Sequence, residues 1–145
     1  MKDNVVVTGG KGFIGSHLVE RLKELGNSPS IVEVDDGAGG ILDFELLMRK
    51  FNGAKVVFHL GAVSGNLYFE YPPLGIRTNC MGTWNVLEAA RLSRVKRVIF
   101  ASTSSLYAGC PLPHKEIHPP QGDINLYSST KLFGEWMMQM YWRRF

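Results

Sequence analysis

The sequence has few cysteines and no long apolar run, and each scarcity excludes a class of protein. Cys80 and Cys110 are the only cysteines among 145 residues, so there is no disulfide framework and no repeated metal-ligand spacing. No apolar run approaches the ~18 residues of a membrane-spanning helix. The first ten residues, MKDNVVVTGG, lack the apolar core of a secretory signal, so the expected compartment is the cytoplasm.

The sequence also lacks a large excess of either charge. Its 16 Lys and Arg are nearly balanced by 13 Asp and Glu, which leaves a net charge of +3. With 45% hydrophobic residues, this balance excludes a disordered chain and predicts one domain over residues 1–145. Some of the cations are clustered, which indicates either an anion or nucleic-acid patch or solvated helix ends. The second interpretation is favoured, and neither a nucleic acid nor a membrane is expected as a partner. The clustered cations are Arg91, Arg94, Lys96, Arg97, Arg143 and Arg144.

Short apolar runs alternate with segments of helical periodicity along the chain. Four strands are predicted, at 5–7, 31–34, 55–60 and within 95–102. Helices are predicted at 14–25, 43–51, 77–93 and 127–145, and the segments 61–75 and 106–125 are predicted to be loops. This alternation predicts a doubly wound α/β fold, with about four parallel strands and helices on both faces. Ligands of such folds bind beyond the carboxyl ends of the strands.

A glycine-rich turn follows the first predicted strand. Gly9, Gly12 and Gly15 are spaced by three residues in TGGKGFIG, between a strand and a helix. Such a turn lets backbone N–H groups and a helix N-terminus approach a pyrophosphate. Asp35 follows Gly15 by 20 residues at the end of the second strand, where a carboxylate accepts ribose hydroxyls. Because Asp35 and Asp36 would repel a 2′-phosphate, the pattern favours NAD over NADP; the alternative is a plain turn with a helix cap.

A second motif, YSSTK, places Tyr127 and Lys131 four residues apart, on one face of a helix. A lysine ammonium beside the phenol would lower the pKa of Tyr127, and such a phenol can exchange a proton with a substrate hydroxyl or carbonyl. The hydroxyl cluster Ser102–Ser105 ends the fourth strand at the same predicted edge. Taken separately, each feature is also compatible with a surface tyrosine and a capped turn.

Five segments together resemble the N-terminal part of an extended short-chain dehydrogenase/reductase, the NAD-dependent sugar-nucleotide epimerase/dehydratase family. They are TGGKGFIGSHL, VVFHLGA, RTNCMGTWNVLEAA, VKRVIFASTSSLYAG and YSSTKLFGE, in family order over nearly the whole chain. The resemblance implies a Rossmann-like domain that binds NAD. It also implies hydride transfer between NAD and a hydroxyl or keto group of a nucleotide sugar.

The resemblance implies specific roles for residues of this chain. Tyr127 would take the hydroxyl proton, Thr103 would hold that oxygen, and Lys131 would bind the nicotinamide ribose and tune Tyr127. A homodimer through helices at about 77–93 and 127–145 is implied as well, and no metal is expected. The implied cofactor-binding residues are Gly9, Gly12, Phe13, Ile14, Gly15, Asp35, Asp36, Ile41, Leu60, Gly61, Ala62, Asn79, Ala101, Ser102, Tyr127 and Lys131.

Three departures from the family pattern shape the functional expectation. Only seven residues separate Asp35 from Asp43, which is too few for a parallel crossover, so one edge strand is expected to be deleted. Within these 145 residues no segment matches the family's substrate-binding region, so a substrate domain is expected to be absent. Ser104 and Ser105 stand where dehydratases tend to have acidic residues, so an epimerase or reductase is favoured. The alternative function is a non-catalytic NAD-binding or interaction module, or a truncated relative without turnover.

Overall fold

The computed structural model describes residues 4–34, 39–64, 70–120 and 125–145. Its four strands are β1 (Val5–Thr8), β2 (Ser30–Val32), β3 (Val56–His59) and β4 (Arg97–Phe100). They form one sheet in the order β2–β1–β3–β4, and every neighbouring pair is parallel. The chain passes outward from β1 to β2 and then returns to the other side of β1, so the strand order reverses between β1 and β3. The predicted four-stranded parallel sheet is confirmed.

Five helices accompany the sheet in the described part of the chain. They are α1 (Phe13–Glu24), α2 (Phe44–Phe51), α3 (Pro72–Ile76), α4 (Thr83–Leu92) and α5 (Leu126–Arg144). A π-helical turn, Arg77–Gly82, joins α3 to α4, and single 3₁₀ turns lie at Gly40–Leu42 and Ser104–Tyr107. None of these helices is both long and apolar enough to cross a membrane.

The two faces of the sheet are covered by different helices because side chains alternate along each strand. Val5 and Val7 point to one face, where they pack with Val19 of α1. Val6 and Val57 point to the other face, where they pack against α2 and α4. Full burial of such an aliphatic side chain contributes about 1.5–3 kcal/mol, so the two cores fix both helix layers on the sheet. The predicted placement of helices on both faces is confirmed.

Side-chain caps set where α2 and α5 begin. Asp43 accepts a hydrogen bond from the Leu46 backbone N–H at 2.9 Å, as the sequence predicts for a helix starting there. Asn125 caps α5 in the same way, with 2.8 Å from its Oδ1 to the Ser128 N–H. Each cap satisfies a backbone donor that the helix leaves unpaired and is worth about 1 kcal/mol. The cap on Asn125 therefore fixes the start of the helix that carries Tyr127.

Three segments differ from the predicted elements. The first six residues of the helix predicted at 77–93 form the π-helical turn Arg77–Gly82, and the α-helix begins only at Thr83. Residues 61–75 were predicted to be a loop, but Pro72–Ile76 forms α3 because proline fits the first turn of a helix, where its missing N–H is not needed. The second strand ends at Val32 rather than at Val34. In the described sheet β2 pairs with β1 alone, so it forms an edge, as the short Asp35–Asp43 connection predicts.

Candidate functional site

The glycine turn after β1 packs tightly against the backbone that leaves β3. Gly9 has a φ of +70°, and a Cβ there would lie 2.9 Å from the Cα of Gly61. A Cβ on Gly15 would lie 2.0 Å from the Gly9 carbonyl oxygen, and one on Gly12 would lie 3.3 Å from it. The Gly12 N–H donates to that same oxygen at 3.1 Å. The turn therefore has no room for side chains at Gly9 or Gly15.

The N-terminus of α1 opens from this turn without a side-chain cap. Gly12 occupies the cap position and makes no side-chain hydrogen bond, and the first turn carries no acidic residue. Phe13 and Ile14 are 84% and 67% exposed, so the turn lies at the surface. The first backbone N–H groups of a helix have no partner within the helix, and they carry the positive end of the helix dipole. This end of α1 thus presents donors that suit an anion.

A buried polar network fixes the carboxyl ends of β1 and β3 beside the turn. The Thr8 hydroxyl lies 2.7 Å from Nδ1 of His59 and accepts from the Gly61 N–H at 3.1 Å. On its other side, Nε2 of His59 lies 3.0 Å from the Thr83 hydroxyl of α4. Burial, reinforced by the Lys131 ammonium, lowers the pKa of His59 to about 3. His59 is therefore neutral, and its ring links β3 to β1 and α4 by hydrogen bonds.

This neutral histidine predicts acid sensitivity. Between pH 6.5 and about 3, His59 is protonated in the unfolded chain and neutral in the native one. The free energy of unfolding therefore decreases as the pH falls through that window. At pH 5 the expected loss is about 2 kcal/mol relative to pH 7, from 1.36 kcal/mol per pKa unit. Urea unfolding at both pH values measures it. His59→Gln, which does not titrate, should show a markedly smaller change; an equal change in both proteins would contradict this role.

The loop after β3 is tied to α5 through Asn79 in the π-helical turn. The Asn79 Oδ1 accepts from the Val63 N–H at 2.8 Å, and its Nδ2 donates to the Val63 carbonyl at 2.9 Å. The same Nδ2 donates to the Thr130 hydroxyl at 3.2 Å, and that hydroxyl donates to the Tyr127 carbonyl at 2.7 Å. Asn79 and Thr130 are 3% and 4% exposed. A buried chain of hydrogen bonds thus runs from the β3 loop to the first turn of α5.

Lys131 reaches from α5 to the carboxyl end of β4. Its Nζ donates to the Ala101 carbonyl at 2.7 Å and lies 4.7 Å from the centre of the Phe100 ring. Burial lowers the pKa of Lys131 to about 8, because desolvation penalises its charged form. One turn further along α5, Glu135 accepts a hydrogen bond from the Ser102 hydroxyl. Two successive residues of the β4 end are therefore fastened to one face of α5.

The electrostatics of Tyr127 differ from the expectation drawn from sequence. The lysine four residues away was expected to lower the pKa of Tyr127, but burial raises it. The Lys131 ammonium is directed to the Ala101 carbonyl, so it stabilises a backbone oxygen. Thr103 also has a structural contact: its hydroxyl accepts from the Ser105 N–H at 3.2 Å and so caps the short turn that follows β4.

The structure brings some of the predicted site residues together at one edge of the sheet and leaves others elsewhere. The glycine turn lies against Gly61, and Lys131 lies at Ala101 and beside Ser102, so the ends of β1, β3 and β4 meet at one edge with α5. Ile41, in contrast, is 0% exposed in the core, so its side chain presents no surface to a ligand. Leu60 and Ala62 are half-buried at the end of β3 and beyond it. Asp35 and Asp36 lie outside the described residues, which contain no cluster of metal-ligating side chains.

Sequence reasoning missed the residues that hold this edge together. Thr130 lies inside the YSSTK motif but was not singled out, although its spacing of three from Tyr127 places the two on one helical face. The partners of Thr8 and Glu135 are contacts between distant segments, which no local pattern reveals. These residues add to the hydrogen bonds by which the predicted residues Asn79 and Lys131 hold the edge together.

A separate cleft lies away from this edge, between α4, the start of β4 and the second half of α5. Arg91, Arg94 and Arg97 line it together with Trp142 and Phe145. Arg91 forms a salt bridge with Glu88 at 2.5 Å and lies 4.9 Å from the centre of the Phe145 ring. The clustered cations are therefore partly accounted for by contacts at helix ends, as the favoured interpretation of the sequence holds.

Comparison with known proteins gives a consistent result. Residues 5–145 match the model of the NAD dependent epimerase/dehydratase family. The chain is 31% identical over 170 residues to UDP-glucose 4-epimerase of Bos taurus, covering 96% of this chain and 49% of that protein. It is 37% identical over 147 residues to UDP-N-acetyl-alpha-D-glucosaminuronate decarboxylase of Bacillus cytotoxicus, covering 90% of this chain and 44% of that protein.

Solved structures agree with these relatives. UDP-glucose 4-epimerase from Brucella ovis in complex with NAD superposes with a TM-score of 0.87 at 33% identity, over 98% of this chain and 48% of that one. The Thermus thermophilus UDP-glucose 4-epimerase complex with NAD gives 0.84 at 30% identity, over 97% and 50%. The chain thus spans about half the length of the proteins it matches.

Proposed function

The chain belongs to the NAD-dependent epimerase/dehydratase family, and from this we propose that residues 1–145 form a single NAD-binding domain that works in hydride transfer on nucleotide sugars. The observation that carries the proposal is that two features lie at one edge of the sheet. There the uncapped N-terminus of α1 opens from the glycine turn, and α5, which carries Tyr127 in its first turn, brings Lys131 to the end of β4. Ligands of this fold bind beyond the carboxyl ends of the strands, which is where both features lie.

The glycine turn fits NAD on steric and electrostatic grounds. Gly9 lies against Gly61, and Gly15 lies against the Gly9 carbonyl, so neither position can carry a side chain into the turn. The free N–H groups at the start of α1 match the charge of a pyrophosphate. Asp35 and Asp36 support NAD over NADP by the carboxylate argument made from the sequence. Because the Ile41 side chain is fully buried, Ile41 would contact the cofactor through its backbone.

The residues near β4 supply the proton chemistry. NAD, when bound, accepts and returns a hydride, and the protein orients the reacting groups. Tyr127 would take the proton of the sugar hydroxyl, and Thr103 would hold the same oxygen. Lys131 would bind the nicotinamide ribose: an ammonium has three hydrogens, and Ala101 uses one of them. Although burial lowers its pKa to about 8, Lys131 stays mostly protonated at pH 7, so its ammonium would stabilise the phenolate that Tyr127 forms.

The substrate class rests on the relatives and on one sequence feature. Relatives are UDP-sugar epimerases and decarboxylases, and one solved neighbour is in complex with UDP-N-acetylmuramic acid. We therefore propose a nucleotide sugar as substrate. Dehydration needs an acid and a base close to the sugar. Ser104 and Ser105 provide neither, which supports an epimerase or reductase.

Turnover is tested with a panel of nucleotide sugars by following NADH absorbance, which reports a reductase, and by NMR of the sugar, which reports an epimerase because that reaction returns the hydride and leaves no net NADH. The proposal expects a net change of NADH, or a change of sugar configuration, with at least one nucleotide sugar. NAD binding with neither change would support the alternative, a non-catalytic NAD-binding or interaction module. The cleft beside β4, with three arginines and two aromatic residues, is the observation that favours that alternative. The cytoplasm is the proposed location for either function.

Self-association is the further part of the proposal. α5 carries an exposed apolar stripe of Phe133, Trp136 and Met140, which are 38%, 61% and 48% exposed. Trp84 of α4 is 41% exposed, and Tyr141 of α5 is hydrogen bonded to Glu88 of α4, so these two helices lie side by side. A two-fold dimer is the commonest cover for such a surface. We propose that α4 and α5 pair with their counterparts.

Trp136→Glu is expected to dissociate this dimer. It places a charge in the middle of the apolar stripe, where desolvation opposes pairing. Trp142→Glu is the matched control, because Trp142 lies about 120° round the helix from Trp136 and lines the cleft beside β4. Light scattering should show a dimer for the native and Trp142→Glu chains and a 16.2 kDa monomer for Trp136→Glu. A native chain that remains monomeric at micromolar concentrations would reject the dimer.

A further inference from the structure

We propose that Asn79 is a positioning residue, which couples the loop after β3 to the helix that carries Tyr127, and that it donates no hydrogen bond to the cofactor. The inference rests on the proposed function, since it concerns the placement of the proton-transfer tyrosine. It departs from the sequence expectation, which counted Asn79 among the residues in contact with the cofactor. Its basis is the hydrogen bonding of the buried Asn79 side chain.

The donor capacity of Asn79 is used up inside the protein. A carboxamide has two N–H groups, and here they go to the Val63 carbonyl at 2.9 Å and the Thr130 hydroxyl at 3.2 Å. Its oxygen accepts from the Val63 N–H at 2.8 Å. Donation to a ligand would therefore break a bond of a side chain that is 3% exposed. Leaving a buried polar group unpaired is destabilising, so these internal hydrogen bonds favour a structural role for the Asn79 side chain.

Asn79 pairs with both backbone groups of Val63, as a neighbouring strand would. This double contact fixes the segment Gly61–Val63, which passes directly beside the glycine turn. The π-helical turn brings the Asn79 side chain to that backbone. Such turns interrupt α-helices mostly at functional sites. The loop that borders the proposed cofactor is thus held by one amide.

The second half of the coupling runs through Thr130. A hydroxyl has one hydrogen, and Thr130 donates it to the Tyr127 carbonyl at 2.7 Å, so it must accept from Asn79. The hydrogen bonds therefore point one way, from the amide of Asn79 to the hydroxyl and on to the carbonyl, an arrangement in which each bond strengthens the next. Tyr127 lies in the first turn of α5, where helices fray most easily. The link through Thr130 holds that turn, and hence the phenol, against the β3 loop.

The test replaces the Thr130 hydroxyl without changing its size. Thr130→Val removes both hydrogen bonds, and Thr130→Ser keeps them. Thr78→Val is the matched control: it makes the same change next to Asn79, at a buried hydroxyl that has no hydrogen-bond partner among the described residues. The measurement is the titration of Tyr127 by NMR with ¹³C-labelled tyrosine, in protein free of NAD. The Tyr127→Phe variant assigns the signal.

Thr130→Val is expected to loosen the first turn of α5 and expose the phenol. Because burial raises the pKa of Tyr127, exposure should bring that pKa down toward the ordinary value for tyrosine. NADH affinity should fall about five- to tenfold, which corresponds to about 1.0–1.4 kcal/mol. Thr130→Ser and Thr78→Val should match the native chain in both measurements. Thr130→Ala removes the same hydroxyl and replaces Thr130→Val if that variant does not fold.

Two results would overturn the inference. One is a Tyr127 titration that Thr130→Val and Thr130→Ala leave unchanged. The other is an Asn79→Ala variant that loses NADH affinity while its Tyr127 titration in NAD-free protein stays native, as direct cofactor contact would produce. The titration needs no cofactor, so a native chain that does not bind NADH contradicts the proposed function without deciding the coupling.

Discussion

Tyr127→Phe is expected to reduce NAD-dependent turnover by about 10²–10⁴-fold, the usual share of positioned acid–base catalysis. The substitution keeps the aromatic ring, which is partly buried in the first turn of α5, and removes only the oxygen that would carry the proton. Folding and NADH affinity should therefore stay close to those of the native chain. The rate of hydride transfer to a nucleotide sugar, followed by NADH absorbance, measures the effect.

Tyr141→Phe is the matched control for this prediction. It makes the same change on the same helix, but the Tyr141 hydroxyl donates to Glu88 at 2.9 Å, far from the β4 end. Losing that bond should cost about 1 kcal/mol of stability and leave the rate unchanged. If Tyr127→Phe turned over as fast as Tyr141→Phe, another residue would have to be the base.

Gly15→Ala is expected to weaken NADH binding by about 100-fold, or ~2.7 kcal/mol. The added Cβ would lie 2.0 Å from the Gly9 carbonyl oxygen and 2.9 Å from the Gly10 Cα. These contacts are to backbone, so the start of α1 must move away from the turn. That movement separates the helix N-terminus from the pyrophosphate it is proposed to hold. Calorimetric titration with NADH measures the loss.

Gly53→Ala serves as the control for Gly15→Ala. Gly53 has a φ of +73°, and a Cβ there meets no atom within 4 Å. The alanine is therefore strained by its backbone conformation alone, which costs about 1–2 kcal/mol of stability. NADH affinity should be unchanged in this variant. Equal affinities for Gly15→Ala and the native chain would show that the turn does not position the cofactor.

The fold was predictable because its signals are local. The β-branched run Val5–Val7, the turn Gly9–Gly15 and the periodic apolar residues of α1 each specify their element without help from distant residues. The cap by Asp43 was predictable for the same reason, since N-cap residues have short polar side chains. The helix Pro72–Ile76 was missed because two prolines were taken as signals for a loop.

The positions of the motifs on their strands and helices were predictable, and the electrostatics around them were not. The motif YSSTK placed Tyr127 and Lys131 on one helical face, but their pKa values depend on burial, which is set by packing against the end of β4. The bond from Lys131 to Ala101 joins segments 30 residues apart, and that from Asn79 to Thr130 joins segments 51 apart. Contacts of this length follow from the fold as a whole, so no sequence pattern contains them.

If the glycine turn holds NAD and the carboxylates of Asp35 and Asp36 select against a 2′-phosphate, the native chain must prefer NADH to NADPH. Calorimetric titration of the native chain with NADH and then with NADPH measures this preference. We expect one NADH to bind per chain and NADPH to bind at least about tenfold more weakly, which corresponds to ~1.4 kcal/mol. Binding of NADPH as tight as that of NADH, or binding of neither, would contradict it.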